Sequence, residues 1–280
     1  MELNELKKKK EFWYFVGYFW ADGYINRNRY CQIEVVEDDC IELIKIIDGL
    51  FDYTHTTRKR DNRQEQGTLY INNKELLNLF VTNGKYSNTI ESHTNILKII
   101  PNEYHIYFLR GLIDGDGCYC DIYDKRSNTT SIQFHISGRY EQNWEGLENE
   151  LKYFGLHVSL RKCSCGKYKY SIIICTDTDE LIKFYDVIYG NKDGVYLTRK
   201  VDKFSKMIIK HKKLKDENLA KRGYYEITIG DSPTDRTYNL KQYCEEHKLC
   251  YENCSKLSTG YIKKYKNINI VHKKGLIPNN

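Results

Sequence analysis

Apolar residues along the chain fall into stretches of two periods, and the order of those stretches occurs twice. An apolar run ending Asp22-Gly23 reads as a helix, and Tyr30-Cys-Gln-Ile-Glu-Val-Val36 alternates as a half-buried strand does. Asp38 to Leu50 then carries Ile41, Leu43, Ile44, Ile47 and Leu50 at helical spacing, with Asp38 or Asp39 placed to cap it. Thr68-Leu-Tyr-Ile-Asn72 predicts a strand, and Lys74–Thr82 a short helix that Asn83-Gly84 stops. From residue 105 the order returns: a helix ending Asp116-Gly117, the strand Ser131–Ser137, the helix Trp144–Phe154, the strand Tyr170–Cys175 and the helix Thr178–Tyr189. The repeat predicts an α+β protein of two pseudo-symmetric αββαββα half-domains, residues 1–100 and 101–210.

Residues 211–280 depart from the repeat. Lys210–Arg222 reads as a lysine-rich connector, Tyr224–Ile229 as a short strand, and Leu240–Lys248 and Tyr251–Leu257 as two short helices ending at Gly260. Two such helices joined by a tight turn, followed by Lys263, Lys264, Lys266, Lys273 and Lys274, predict a small helix-turn-helix-like domain. Cys244, His247, Cys250 and Cys254 offer a zinc reading of the same segment, but the cysteines also fit its small buried positions.

The candidate chemistry sits on the first helix of each half, Phe15-Val-Gly-Tyr-Phe-Trp-Ala-Asp-Gly23 and Leu109-Arg-Gly-Leu-Ile-Asp-Gly-Asp-Gly117. Gly17 with Ala21, and Gly111 with Gly115, put small residues four apart on one face, which lets two helix backbones approach closely. Helices packed this way bring Asp22 and Asp116 together, and adjacent carboxylates repel unless cations neutralise them. A plainer alternative is that Asp-Gly only terminates each helix, with the glycine at positive φ.

These two nonapeptides, and the repeat around them over roughly the first 210 residues, resemble the LAGLIDADG homing endonucleases. The resemblance implies a β-saddle formed by both half-domains and a monomeric enzyme making a metal-dependent double-strand cut in DNA at a long asymmetric site. It implies Asp22 and Asp116 as catalytic metal ligands, each serving one strand, with Ala21 and Gly115 beside them in the metal set and two or three Mg²⁺ ions as cofactor. Family members also place Lys or Gln near the metals. Lys200, in Tyr-Leu-Thr-Arg-Lys, and Gln32 and Gln133, on the first hairpin of each half, are the candidates. The first half lacks an obvious match for Lys200, leaving Lys85 and Lys98 to consider. Trp20 stands where the pattern has an acidic residue and the second copy has Asp114, a position that does not bind metal in the family. The tail resembles helix-turn-helix modules appended to phage and intron nucleases. The alternative on the same scaffold is an RNA maturase, with intron RNA as partner, or a DNA-binding regulator that does not cleave.

Charge sharpens the expectation of double-stranded DNA as partner. The net charge of +6 lies in residues 211–280, which hold 14 Lys+Arg against 8 Asp+Glu, whereas residues 1–210 balance at 30 each. Basic clusters mark four hairpin tips: Arg27 and Arg29; Arg58, Lys59, Arg60 and Arg63; Lys125 and Arg126; Arg161, Lys162, Lys167 and Lys169. With Lys256, Lys263 and Lys264 of the tail they are the candidate DNA contacts, since β-ribbons can enter a major groove. Ten scattered cysteines without an export signal read as reduced thiols. No apolar run approaches the roughly 18 residues of a membrane span. A soluble intracellular protein, with no membrane and no obligatory protein partner, is expected. An initial Met with no splicing block ahead of the first motif favours a free-standing protein over an intein.

Overall fold

Between Phe12 and Trp20 no polar face exists, a pattern that only a central helix satisfies. In the computed structural model, which describes residues 2–26, 29–59, 64–86, 89–90, 92–124, 129–191, 193–259, 265–274 and 277, that is where the segment lies. The chain divides into two units, Met1–Ile208 and Ile209–Asn280.

In the first unit, one turn of helix, α1 (Leu3–Leu6), precedes α2 (Lys10–Asp22), whose residues Phe12–Trp20 are all buried. The first hairpin is β1 (Gly23–Asn26) with β2 (Tyr30–Val36); α3 (Glu37–Ile47) follows, then the hairpin β3 (Tyr53–Arg58) and β4 (Gln66–Ile71), then α4 (Lys74–Thr82). A short ribbon, β5 (Lys85–Tyr86) with β6 (Thr89–Ile90), and α5 (Thr94–Ile99) lead to α6 (His105–Asp116). The second half repeats the order with β7 (Cys118–Asp124), β8 (Thr129–Arg139), α7 (Glu145–Tyr153), β9 (Ser159–Cys165), β10 (Tyr168–Cys175) and α8 (Thr178–Tyr189). Both sheets are antiparallel with the same strand order, β1-β2-β4-β3 and β7-β8-β10-β9, so the fold is α+β and built from two αββαββα half-domains.

Alternation along the strands gives each sheet a covered and an open face. Ile25, Cys31, Ile33, Leu69 and Ile71 in the first sheet, and Tyr119, Ile132, Phe134, Ile136 and Ile173 in the second, join one core with α2 and α6. Equivalent caps start α4 and α8: Asn73 Oδ1 accepts from Leu76 N at 2.9 Å, and Asp177 Oδ1 from Glu180 N at 3.0 Å. The expected cap of α3 is not formed. That helix begins at Glu37 without a side-chain cap, and Asp39 is buried within it, engaged by Arg199.

The lysine-rich stretch expected to be a connector is helical. It continues α9 (Thr198–Arg222), which begins in the first unit. The second unit then holds β11 (Tyr224–Ile229), β12 (Asp235–Thr237), α10 (Leu240–Glu246), α11 (Tyr251–Ser258) and β13 (Ile268–Lys273), with sheet order β12-β11-β13. Two short successive helices are present as expected, but they pack with a three-stranded sheet through Ile227, Leu240, Tyr243, Cys244, Cys254, Ile268 and Ile270. The zinc donors suggested for this segment do not converge among the described residues: Cys244 and Cys254 are core residues, Cys250 is exposed, and His247 stacks on Tyr243. Among the described residues no helix is long and apolar enough to cross a membrane.

Candidate active site

The site is built from the contact between α2 and α6. A Cβ on Gly17 would overlap the Phe108 carbonyl and reach its carbon at 2.8 Å; a Cβ on Gly111 would overlap the Tyr14 carbonyl and lie 2.8 Å from Tyr18 N. The two contacts are mirror statements of one packing, backbone against backbone. Next along, a Cβ on Gly115 would stand 2.6 Å from the Ala21 Cβ. The helix ends therefore meet, carrying Asp22 and Asp116. Gly23 and Gly117 have φ of −75° and −68°, which removes the reading of Asp-Gly as a positive-φ helix stop. They are glycines because a Cβ there would collide with Phe19 and with the Ile113 carbonyl.

Crowding of charge is visible at the two carboxyls. Burial, then the Asp22 charge, lifts the Asp116 carboxyl to about 6, against the pull of Lys85 and Lys200. Desolvation also raises Asp22, although its side chain reaches solvent, with Lys200 and Lys85 opposing and Asp39 adding to the rise. Each half supplies one lysine. Lys85 is fully buried, donates from Nζ to the Trp20 carbonyl at 2.7 Å, and is pushed down by burial to about 8 although Asp116 and Asp22 favour its charge. Lys200 donates to the Gly117 carbonyl at 2.7 Å and reaches the Gly115 carbonyl at 3.4 Å. Lys85 is thus the first-half lysine that the sequence offered only beside Lys98, which is exposed on α5.

How these lysines are held explains the mismatch between Trp20 and Asp114. In the second half the Asp114 carboxylate is buried and accepts from Tyr14 Oη and Tyr189 Oη at 2.7 Å and from Leu197 N at 2.8 Å. Buried Arg110 donates to the Ile188 carbonyl, to Asp193 Oδ1 at 2.7 Å and to the Val195 carbonyl at 3.0 Å. Together they pin the segment before α9 onto α6. The start of α9 is tied to α3 as well, by Thr198 N to Glu42 at 2.8 Å and by Arg199 on both oxygens of Asp39. Lys200 is fixed by this set. In the first half no segment is pinned in this way: only the backbone carbonyl of Trp20 meets Lys85, and its ring packs near Phe80 and His93.

The donor set fits a divalent cation of the magnesium kind. It consists of two crowded carboxylates and the carbonyls of Ala21 and Gly115, each one residue before its helix ends and so without an i+4 helical partner; all are hard oxygens.

No protein-family model matches the chain. Among solved structures, the I-SmaMI LAGLIDADG homing endonuclease bound to cleaved DNA is 13% identical, with a TM-score of 0.51, over 74% of this chain and 90% of that one. The LAGLIDADG meganuclease I-AabMI bound to uncleaved DNA is also 13% identical with a TM-score of 0.51, over 73% and 91%. The chain has the LAGLIDADG homing endonuclease fold. In sequence, the reverse gyrase of Methanocaldococcus jannaschii is 25% identical over 181 residues, 63% of this chain; the chain spans about a tenth of that protein's length.

On the LAGLIDADG scaffold the remaining candidates separate. Gln32 pairs with Tyr24, one residue beyond Gly23, whereas Gln133 pairs with Cys120, three beyond Gly117. The two glutamines are therefore not equivalent. The register places His135, opposite Cys118, where the first half has Gln32, and Gln133 Nε2 lies 3.3 Å from His135 Nδ1. Arg29, Arg58, Lys59, Arg161, Lys162, Lys167 and Lys169 are exposed, as is Lys256 on α11. Lys162 is occupied by Glu141 at 2.9 Å, and it and Lys169 lie over the Tyr140 ring. Arg27, Arg60, Arg63, Lys125, Arg126, Lys263 and Lys264 lie outside the described residues. Sequence reasoning missed Asp39 and Arg199, and also His93. That histidine is buried, stacks on Trp144 and lines a small cavity together with Asp116.

Proposed function

We propose that the chain is a site-specific DNA endonuclease that cuts both strands of a long asymmetric site using two or three Mg²⁺ ions held at Asp22 and Asp116. The observation that carries this reading is the pair itself: two aspartates at joined helix ends, with buried Lys85 of the first half and half-buried Lys200 of the second beside them. The same fold in I-SmaMI, bound to cleaved DNA, supports it.

Bound there, Mg²⁺ would supply charge neutralisation at the phosphate and a more acidic water as nucleophile. The chain's residues do the rest. Asp22 and Asp116 would hold the ions, with the Ala21 and Gly115 carbonyls beside them. Lys85 and Lys200 place positive Nζ atoms next to the reacting phosphates, one for each strand, and the backbone carbonyls they bond to fix their direction. Lys85, depressed to about 8, holds a proton it can also release near neutral pH. The open faces of the two sheets would carry the duplex, with Gln32, Gln133 and His135 near its centre and Arg29, Arg58, Lys59, Arg161 and Lys167 toward the hairpin tips. The second unit would add affinity through Lys256 and its other lysines, with the steep salt dependence of phosphate contacts.

The test is digestion of a randomised or genomic DNA library in Mg²⁺, in EDTA and with Asp116→Asn. A double-strand cut at a single long sequence in Mg²⁺ alone, lost in the variant, is the expected result. DNA or RNA binding without a metal-dependent cut would instead assign the chain to the regulators or maturases.

A further inference from the structure

A second cluster of metal-binding side chains lies in the first half-domain, away from the paired aspartates. Glu37 opens α3, Cys40 follows one helical turn later, and His55 sits in the middle of β3. One donor atom from each, a carboxylate oxygen, the thiol sulfur and an imidazole nitrogen, all lie within 4.8 Å of one another. Cys40 is fully buried, and the side chains of Glu37 and His55 are 15% and 26% exposed. His55 Nε2 stands 3.1 Å from Glu37 Oε2. Two ligands on one tetrahedral zinc, at bonds of roughly 2.0–2.1 Å, stand about 3.3 Å apart, so this pair already has the separation a shared ion imposes. Across the sheet, β4 passes beneath with Gly67, where a Cβ would overlap Glu37 Oε2 and lie 2.6 Å from the Cys40 Cβ. Only glycine at that position lets both α3 donors close over the strand toward His55.

We infer that Glu37, Cys40 and His55 form a zinc site, with water as the fourth ligand. Thiolate, imidazole and carboxylate together suit a borderline-soft ion such as Zn²⁺ and not Mg²⁺, so the site is chemically separate from the oxygen-only set at Asp22 and Asp116. To bind as the thiolate, Cys40 must give up its thiol proton. Zinc binding replaces that proton, which leaves to solvent, while His55 binds through neutral Nε2. The ion ties the start of α3 to β3 and so steadies the β3–β4 hairpin whose tip carries Arg58 and Lys59.

The inference does not depend on the nuclease reading, and its test is arranged to keep the two apart. Full-length chain carrying Asp22→Asn and Asp116→Asn is stripped with chelator, loaded with Zn²⁺ or Co²⁺, and dialysed against metal-free buffer. About one zinc per chain is expected to remain, with a near-ultraviolet thiolate-to-cobalt band in the cobalt form. Cys40→Ser and His55→Gln, each in that background and checked for folding by circular dichroism, are expected to lose metal about tenfold or more and to lose the rise in unfolding temperature that zinc gives the parent. A folded parent that retains no zinc would reduce the cluster to a His55–Glu37 hydrogen bond. A cobalt–thiolate band that survives Cys40→Ser would move the metal to other thiols. Either result overturns the site.

Discussion

Replacing Gly111 with Ala tests the helix contact on which the paired aspartates depend. The added carbon would overlap the Tyr14 carbonyl oxygen and lie 2.9 Å from its carbon and 2.8 Å from Tyr18 N. Comfortable carbon contacts are about 3.5 Å or longer, so α2 and α6 must part by roughly 1 Å. Two effects compete. Alanine in a helix interior is favoured over glycine by about 1 kcal/mol, while overpacking of a tight core costs about 1–3 kcal/mol. The clash is with main chain, which no rotamer change relieves, so the upper end applies and the net loss is about 2 kcal/mol. For a unit of this size that lowers the unfolding temperature by roughly 4–8 °C. The chemistry should suffer more, because a displacement of about 1 Å between catalytic groups can cost on the order of 10²-fold in rate. Thermal unfolding followed by near-ultraviolet circular dichroism reads the first effect and digestion of target DNA the second. Gly17→Ala, against the Phe108 carbonyl, should behave alike. A Gly111→Ala chain that melts at or above the parent temperature and cuts at the parent rate would refute the packing.

Three further outcomes follow from the site. Asp114→Asn turns an amide donor toward a group of three donors and should cost about 1–3 kcal/mol in urea denaturation, since one of Tyr14, Tyr189 or Leu197 N is left without an acceptor. Burial alone would raise the Asp193 carboxyl, but Arg110, Tyr107 and the Val195 N–H outweigh it and hold it at about 2. A carboxyl depressed by folding stabilises above its unfolded value near 4, and that contribution, about 2 kcal/mol, is lost as pH falls through about 2. Asp193→Asn should therefore lower stability at neutral pH and flatten the acid limb; an acid unfolding curve parallel to the parent's would contradict this. Lys85→Met and Lys200→Met should each slow one strand cut about 10²-fold, so that nicked DNA accumulates on denaturing gels, with opposite strands intact in the two variants.

Much of this architecture was legible because it is repeated and because local and tertiary signals agree. Lys74–Thr82 and Thr178–Tyr189 carry both an apolar face and a cap, and both form with the expected bounds. Where only composition spoke, the reading failed. Lysines through 210–222 suggested a connector, yet no Gly or Pro interrupts Thr198–Arg222, and Gly223, at φ +74°, marks the true helix end. Asp39 looks like a cap from its position and becomes a buried acceptor because Arg199 arrives from 160 residues away. Lys85 carries no local mark of its burial; its environment comes from α2 and the two aspartates. The inequivalence of Gln32 and Gln133 is a matter of strand register, which alternation alone does not fix.

We propose that Asp22 and Asp116 form one composite centre, with one strand assigned to each. It is tested most directly by strand-resolved digestion, in Mg²⁺, of the duplex recovered from the library, each strand labelled at its end, with the parent chain, Asp22→Asn and Asp116→Asn. The parent should cut both strands, and neither variant should make a double-strand break. Asp22→Asn cutting both strands at the parent rate would contradict it.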